Sequence, residues 1–286
     1  MISDITLGQF FPGFSPLHKL DPRTKIILAI LYIVAVFIVN SPAGLAFILL
    51  LTVFLIAISR ISFKVVLRGI KPIIFILIFT SLINILMTKG AGKPLLEFWI
   101  IKIYKEGIIK GIFMSLRVVV LIIGTSMLLT YTTSPISLTD GIESLLKPLK
   151  KIGVPVHVFA MLMTIALRFI PTLVEETEKI MNAQKSRGAD FSSGGLIKRA
   201  KALIPILVPL FVSSIKRADE LATAMECRCY RGDKNRTKYI ELKYKSRDLV
   251  WFILALSFIA GIILLRILPY KFDIGHIIYN IAFYRI

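Results

Sequence analysis

Long apolar runs, Ile26 to Val39, Ala43 to Ile58, Pro72 to Met87, Gly111 to Tyr131 and Leu249 to Leu268, alternate with clusters of Lys and Arg. Crossing the hydrocarbon of a bilayer takes about 20 helical residues, and backbone polar groups inside it must be satisfied within the chain. Barrel strands would alternate with a period of two, and these runs do not. The mean hydropathy of +0.78 and the 56% of hydrophobic residues agree. The expected fold is therefore all-α, a polytopic helical membrane protein. The excess of 19 positive charges falls in basic clusters beside apolar runs, which is what membrane topology produces, so no nucleic acid partner is expected. The stretch ahead of Ile26, "GQFFPGFSPLHKLDPRTK", is polar and turn-rich, so no cleavable leader is expected.

The first two runs are short and split by "NSPAG", which suggests a helical hairpin. In "SRISFKVVLRGIKP", Arg60, Lys64, Arg68 and Lys71 recur every three or four residues, predicting a separate amphipathic helix on the membrane surface. Arg117 reads as lying near the start of the fourth run, where its side chain would snorkel to the headgroups. "YTTSPISLTDGIESLLKPLKKIG" predicts a short helix capped by Thr139 or Asp140 and stopped near Lys147 and Pro148. Basic residues in short loops, with His18, Lys19, Arg23 and Lys25 before the first run, place the N-terminus in the cytoplasm. The lysine-bearing loop from Thr88 to Lys110 opposes that order and reads as interfacial, with Trp99 and Tyr104 as anchors. Residues 1–133 are expected to hold about four membrane helices, 134–248 a cytoplasmic or interfacial region with two long helices, and 249–286 a last membrane helix and tail.

Two segments resist that scheme. Val154 to Gly188 begins apolar, passes Arg168 and Pro171, turns acidic and ends on Arg187 and Gly188; Ala202 to Tyr230 passes Pro205 and Pro209 and ends near Arg228. Offset by 41 residues they align weakly, Arg187 on Arg228, Ala183 on Ala224, Ile180 on Leu221 and Val174 on Ile215. Each apolar portion is short and interrupted, so both read as helices that start in the interface and run into the cytosol rather than as simple spans. Phe169, Leu173, Ile180, Gln184 and Arg187 share one face of the first. Phe211, Ile215, Ala218, Ala222, Met225 and Cys229 share one face of the second. The prolines would bend these helices or end them. Gly188 suits a left-handed residue after a helix end, and a cation there favours the helix dipole. Two readings of the arginines follow. They are ordinary C-terminal charges, or they are docking knobs whose planar fork grips a partner's carboxylate, with Ser186, Gly188, Cys227 and Cys229 small enough to let it close in and Gln184, Met225 and Glu226 in support.

Enzymatic signatures are missing. There is neither H-E-x-x-H nor G-x-S-x-G, and His18, His157 and His276 are scattered. "KGAGKP" lacks the first glycine and the hydroxyl residue of a phosphate loop. The C-x-C pair has no histidine nearby, and no cofactor or metal is expected. A channel or an intramembrane enzyme is the rival reading, but the membrane runs carry few polar residues apart from Arg117 and Asn84.

With "SPLHKLDPRTK" near the N-terminus, "QKSRGAD" and "AMECRCY", nearly the whole chain resembles the transmembrane (T) component of energy-coupling factor transporters, prokaryotic importers of vitamins and metal ions. The resemblance implies a non-enzymatic scaffold in the cell membrane. In it Ser186, Arg187 and Gly188 close one coupling helix, and Cys227, Arg228 and Cys229 close the other. Each arginine would enter an acidic groove on one of two ABC-type ATPases, and the bundle would hold a small substrate-binding membrane subunit. Cys229 departs from the glycine of the first signature, so a different helix ending is expected there.

Overall fold

A computed structural model describes residues 10–88, 96–98, 101–189, 191, 195–232 and 242–267. The loop residues 89–95 and Trp99, the basic stretch from 233 to 241 and the tail from 268 lie outside the described residues, and with them the phosphate-loop look-alike and His276. The chain divides into two compact units, Gln9–Gly141 with Leu242–Ile286, and Ile142–Glu241 with Met1–Gly8.

The larger unit is built from α1 (Pro22–Ile38), α2 (Pro42–Ser59), α3 (Phe63–Ile70), α4 (Ile74–Met87), α5 (Lys105–Thr125) and α9 (Ser246–Ile267), with α6 (Pro135–Leu146) at its edge. Three of these helices open on a polar residue followed by proline. Asp21 precedes Pro22 and accepts from the Arg23 amide, and Ser41 precedes Pro42 and accepts from the Gly44 amide. Ser134 precedes Pro135 and accepts from the Ser137 amide at 3.2 Å. Proline at the first helical position has its φ preset and lacks only an N–H that would go unbonded there. The cap of α6 is thus Ser134, not Thr139 or Asp140, and a 3-10 turn, Lys147–Ile152, continues past Pro148.

The surface helix expected before the third run does not stand apart. A single 3-10 turn, Lys71–Ile73, joins α3 to α4, and Phe63–Met87 forms one 25-residue stretch apolar enough to cross a membrane. Pro72 sits in that turn, where its missing N–H is tolerated. By the same measure of length and composition Pro42–Ser59, Lys105–Tyr131, Val156–Ser186 and Ser246–Leu264 also qualify. α1, with 17 residues, is one residue shorter than α2. Part of the loop after Thr88 forms a short hairpin. Strands β1 (Leu96–Phe98) and β2 (Ile101–Ile103) pair antiparallel, Leu96 opposite Ile103, directly before α5.

The core lies where α1 meets α2, α5 and α9. Leu28, Ala29, Tyr32, Ala35 and Val36 are buried against Leu45, Ile48, Leu55, Val120 and Ile262. The α1 and α5 backbones come close at Gly124, whose α-carbon faces the Tyr32 ring. The Tyr32 hydroxyl donates to the Val120 carbonyl at 2.9 Å and lies 2.7 Å from Thr52 Oγ1. α4 and α5 pack through small residues: a Cβ on Gly107 would sit 3.0 Å from the Ile85 carbonyl oxygen, and one on Gly111 would sit 3.1 Å from Ser81 Oγ. Close backbone approach of this kind is how helices associate in lipid, where apolar contact with a neighbour gains little over contact with acyl chains. The outer surface is correspondingly greasy, with Phe75 on α4 78% exposed.

Arg117 is not near a helix start. It stands twelve residues into α5, and its Nη2 donates to the carbonyl of Val39, the residue that closes α1. The guanidinium therefore sits at the negative end of the α1 dipole, with its carbon 5.0 Å from the Phe113 ring centroid.

The basic N-terminal motif is a clasp and not a set of free loop charges. Lys25 is 2% exposed; its Nζ donates to the Thr132 carbonyl at 2.7 Å and to Thr133 Oγ1 at 3.2 Å. Arg23 pairs with Asp21 at 3.1 Å and lies 4.1 Å over the Tyr244 ring. Asp248, 4% exposed, accepts from the Asp21 amide at 2.9 Å and from the Lys245 amide at 2.8 Å. One carboxylate thereby ties α9 to α1. Asp248→Ala is expected to leave both amides unpaired and to cost about 1–3 kcal/mol, read as a lower melting temperature of the purified protein in detergent; an unchanged melting temperature would refute this role.

Candidate functional site

The smaller unit is dominated by α7 (Val156–Ser186) and α8 (Leu196–Cys227), of 31 and 32 residues. Both run unbroken through their prolines, Pro171 in α7 and Pro205 and Pro209 in α8, so none of the three ends a helix. Continuity through Arg168 and Pro171 also gives α7 the length and apolar content of a span, against the expectation that the segment is too broken for one. His157 meets Glu143 at 3.0 Å.

The two helices end in the same way. At the α7 tip the Gly188 amide bonds to the Lys185 carbonyl at 2.9 Å and the Ala189 amide to the Gln184 carbonyl at 3.0 Å. At the α8 tip the Cys229 amide bonds to the Glu226 carbonyl at 2.8 Å and the Tyr230 amide to the Met225 carbonyl at 3.0 Å. Both are Schellman closures, and both need a left-handed residue just past the cap. Gly188 has φ +88° and Cys229 has φ +57°. The different ending expected at Cys229 is not found: cysteine takes the conformation glycine takes in the other tip, at the steric cost a Cβ carries there. Arg187 and Arg228 are the two cap residues, one at each end of the 41-residue offset.

Ser186, Arg187, Gly188, Glu226, Cys227, Arg228 and Cys229 are all exposed, while Gln184 and Met225 are half-buried. A side chain added at Gly188 would meet nothing within 4 Å. Among the described residues neither tip arginine has an ion-pair partner, and both cysteines are free thiols.

The tips do not lie side by side. Met161, Leu162, Ile165, Phe169 and Leu173, from the first half of α7, line one groove of about 360 Å³ together with Ser214, Arg217, Ala218, Leu221, Ala222 and Met225, from the second half of α8. Helices that share such halves run in opposite directions. Glu176 bonds to Arg217 at 2.7 Å and to Ser213 where they cross. Eleven residues lead from Glu176 to Arg187 and eleven from Arg217 to Arg228. At 1.5 Å per residue the arginines stand about 30 Å apart, at opposite ends of the pair. The faces expected from the sequence divide accordingly. Phe169, Leu173, Ala218, Ala222 and Met225 face the groove, whereas Phe211 and Ile215 point away, 67% and 47% exposed. No local pattern marked the crossing pair, although both members sit at the repeat offset.

Residues 13–239 match the family model described as CbiQ, cobalt transport protein. The chain is 57% identical over 267 residues to the energy-coupling factor transporter transmembrane protein of Clostridium kluyveri, an alignment covering 93% of this chain and 98% of that one. It is 52% identical over 266 residues to the protein of that name from Ruminiclostridium cellulolyticum, with the same coverage. To the Bacillus subtilis protein it is 49% identical over 248 residues, covering 87% of this chain and 93% of that one. Matches of this extent run through the membrane helices, the N-terminal clasp and both arginine tips, and the chain belongs to the family of energy-coupling factor transporter transmembrane proteins.

Proposed function

We propose that this chain is the coupling scaffold of an energy-coupling factor importer, with α7 and α8 as levers between two cytosolic ABC-type ATPases and a small substrate-binding membrane subunit. One observation carries the proposal: two long helices, related by repeat, close with the same hydrogen bonds and present an exposed arginine with no ion-pair partner among the described residues. An ordinary C-terminal charge needs neither the repeat nor the matched closure. Each guanidinium enters an acidic groove on one ATPase, where its fork binds a carboxylate bidentately once water is excluded. Small neighbours, Ser186 and Gly188 at one tip and Cys227 and Cys229 at the other, let the groove wall approach.

In this mechanism the tips, the coupling region and the N-terminus face the cytoplasm. ATP draws the two ATPases together, and their grooves carry the tips with them. Rigid helices of about 45 Å each transmit that displacement to the apolar halves of α7 and α8. Exposed Leu207, Val208 and Phe211 then work against the subunit that holds the cargo. The chain performs no bond chemistry of its own; ATP hydrolysis belongs to the partners. The cargo is a vitamin or a metal ion, and the family description as a cobalt transport protein supports the second. Co-expression with the two ATPases and a substrate-binding subunit, followed by uptake measured in proteoliposomes with and without ATP, tests the proposal. ATP-dependent accumulation is the expected result, and a chain that moves solute at the same rate without the ATPases would be a channel instead.

A further inference from the structure

Glu176 and Arg217 are counterparts under the 41-residue offset, so each bonds to the residue that occupies its own place in the other helix. Between two repeat-related helices that happens only where they cross on their local two-fold axis; elsewhere a residue meets something other than its counterpart. Glu176 is 20% exposed and carries Arg217 Nη2 on one carboxylate oxygen at 2.7 Å and Ser213 Oγ on the other. The remainder of the seam is apolar or small, Leu173, Ala218 and Ala222 among them. Burial of apolar surface is non-directional and tolerates sliding, whereas hydrogen bonds fix distance and angle.

We propose that Glu176 is a positioning residue: held by Arg217 and Ser213, it sets the register and angle at which α7 and α8 cross, and through them the spacing of the two arginine tips. A slip of one helical turn along the seam would move one tip by about 5.4 Å against the other, enough to misalign the two docked ATPases without releasing them. The consequence for transport rests on the docking reading above; the geometric claim does not.

The test uses the full chain in lipid nanodiscs. Cys227→Ser and Cys229→Gly remove the native thiols, and spin labels are placed at the exposed positions Lys185→Cys and Glu226→Cys, nine residues beyond the crossing on each helix. Pulsed dipolar spectroscopy should give a narrow distribution near 27 Å. In Glu176→Leu and in Arg217→Leu its width about doubles, because non-directional packing alone then sets the register. The exchange variant Glu176→Arg with Arg217→Glu restores the narrow distribution, which a merely destabilised fold would not do. In the complete transporter the single variants keep both ATPases bound while uptake per ATP hydrolysed falls roughly tenfold, a usual size for a coupling effect. A distribution in Glu176→Leu that matches the parent overturns the proposal whatever happens at the tips. Retention of both ATPases by the double variant Arg187→Glu with Arg228→Glu overturns the docking reading and leaves the crossing intact.

Discussion

The double variant Arg187→Glu with Arg228→Glu is expected to lose ATP-driven uptake completely and to purify without either ATPase. Both residues cap their helices with exposed side chains that have no ion-pair partner among the described residues, so reversing them breaks no ion pair there. What changes is the contact with an acidic groove, where a carboxylate replaces the cation that neutralised it. Truncating one member of a desolvated charged pair costs about 2–5 kcal/mol, largely because the other charge is left buried and alone, and reversal adds repulsion. Each single variant should therefore weaken one ATPase contact by roughly 30-fold or more, since 1.4 kcal/mol is a factor of ten. Arg187→Lys and Arg228→Lys should retain part of the affinity, because lysine keeps the charge and loses the fork. Pull-down from detergent and uptake in proteoliposomes supply the readings. If the doubly reversed protein still retains both ATPases and transports, the tips are not the docking points.

A second large effect is expected far from the tips. Gly124→Ala places a methyl group inside the Tyr32 ring, and that ring cannot simply turn aside. Its hydroxyl is held by the Val120 carbonyl at 2.9 Å and Thr52 at 2.7 Å, and its flanks are packed by the buried core. Either α1 and α5 separate or the tyrosine leaves its partners. Overpacking together with one lost buried hydrogen bond costs about 2–5 kcal/mol, a large fraction of the roughly 5–15 kcal/mol by which folded proteins are ordinarily stable. The melting temperature in detergent measures it. Gly124→Ala combined with Tyr32→Leu should recover part of the loss, since the ring is gone, while the combination with Tyr32→Phe should not. A Gly124→Ala protein with the parent's melting temperature would show that the two helices do not cross as closely as described.

Lys25 shows where reading a sequence misleads. Beside Lys19 and Arg23 it looked like one more basic residue marking the cytoplasmic side, yet it is buried with its ammonium on the Thr132 carbonyl and Thr133. Those acceptors lie more than a hundred residues away, and no local pattern reports which carbonyls a fold leaves unpaired. Arg117 is similar. Its depth depends on where α5 begins, and α5 begins at Lys105 because the β1–β2 hairpin ends there, a boundary that the apolar count alone set six residues later. Gly188, by contrast, was readable at once, because a glycine after a basic last turn has a local conformational reason to be there.

Apolar runs, the 41-residue offset and the two arginine tips are written in the chain itself, since each rests on interactions within a few residues or on the free energy of putting a segment into lipid. The directions of α7 and α8, the 30 Å or so between their arginines, the likeness of the Cys229 and Gly188 closures and the Glu176–Arg217 crossing came only with the folded molecule. Those are set by which distant surfaces meet, and a pairing between residues 41 apart has no energy until the backbone has brought them together.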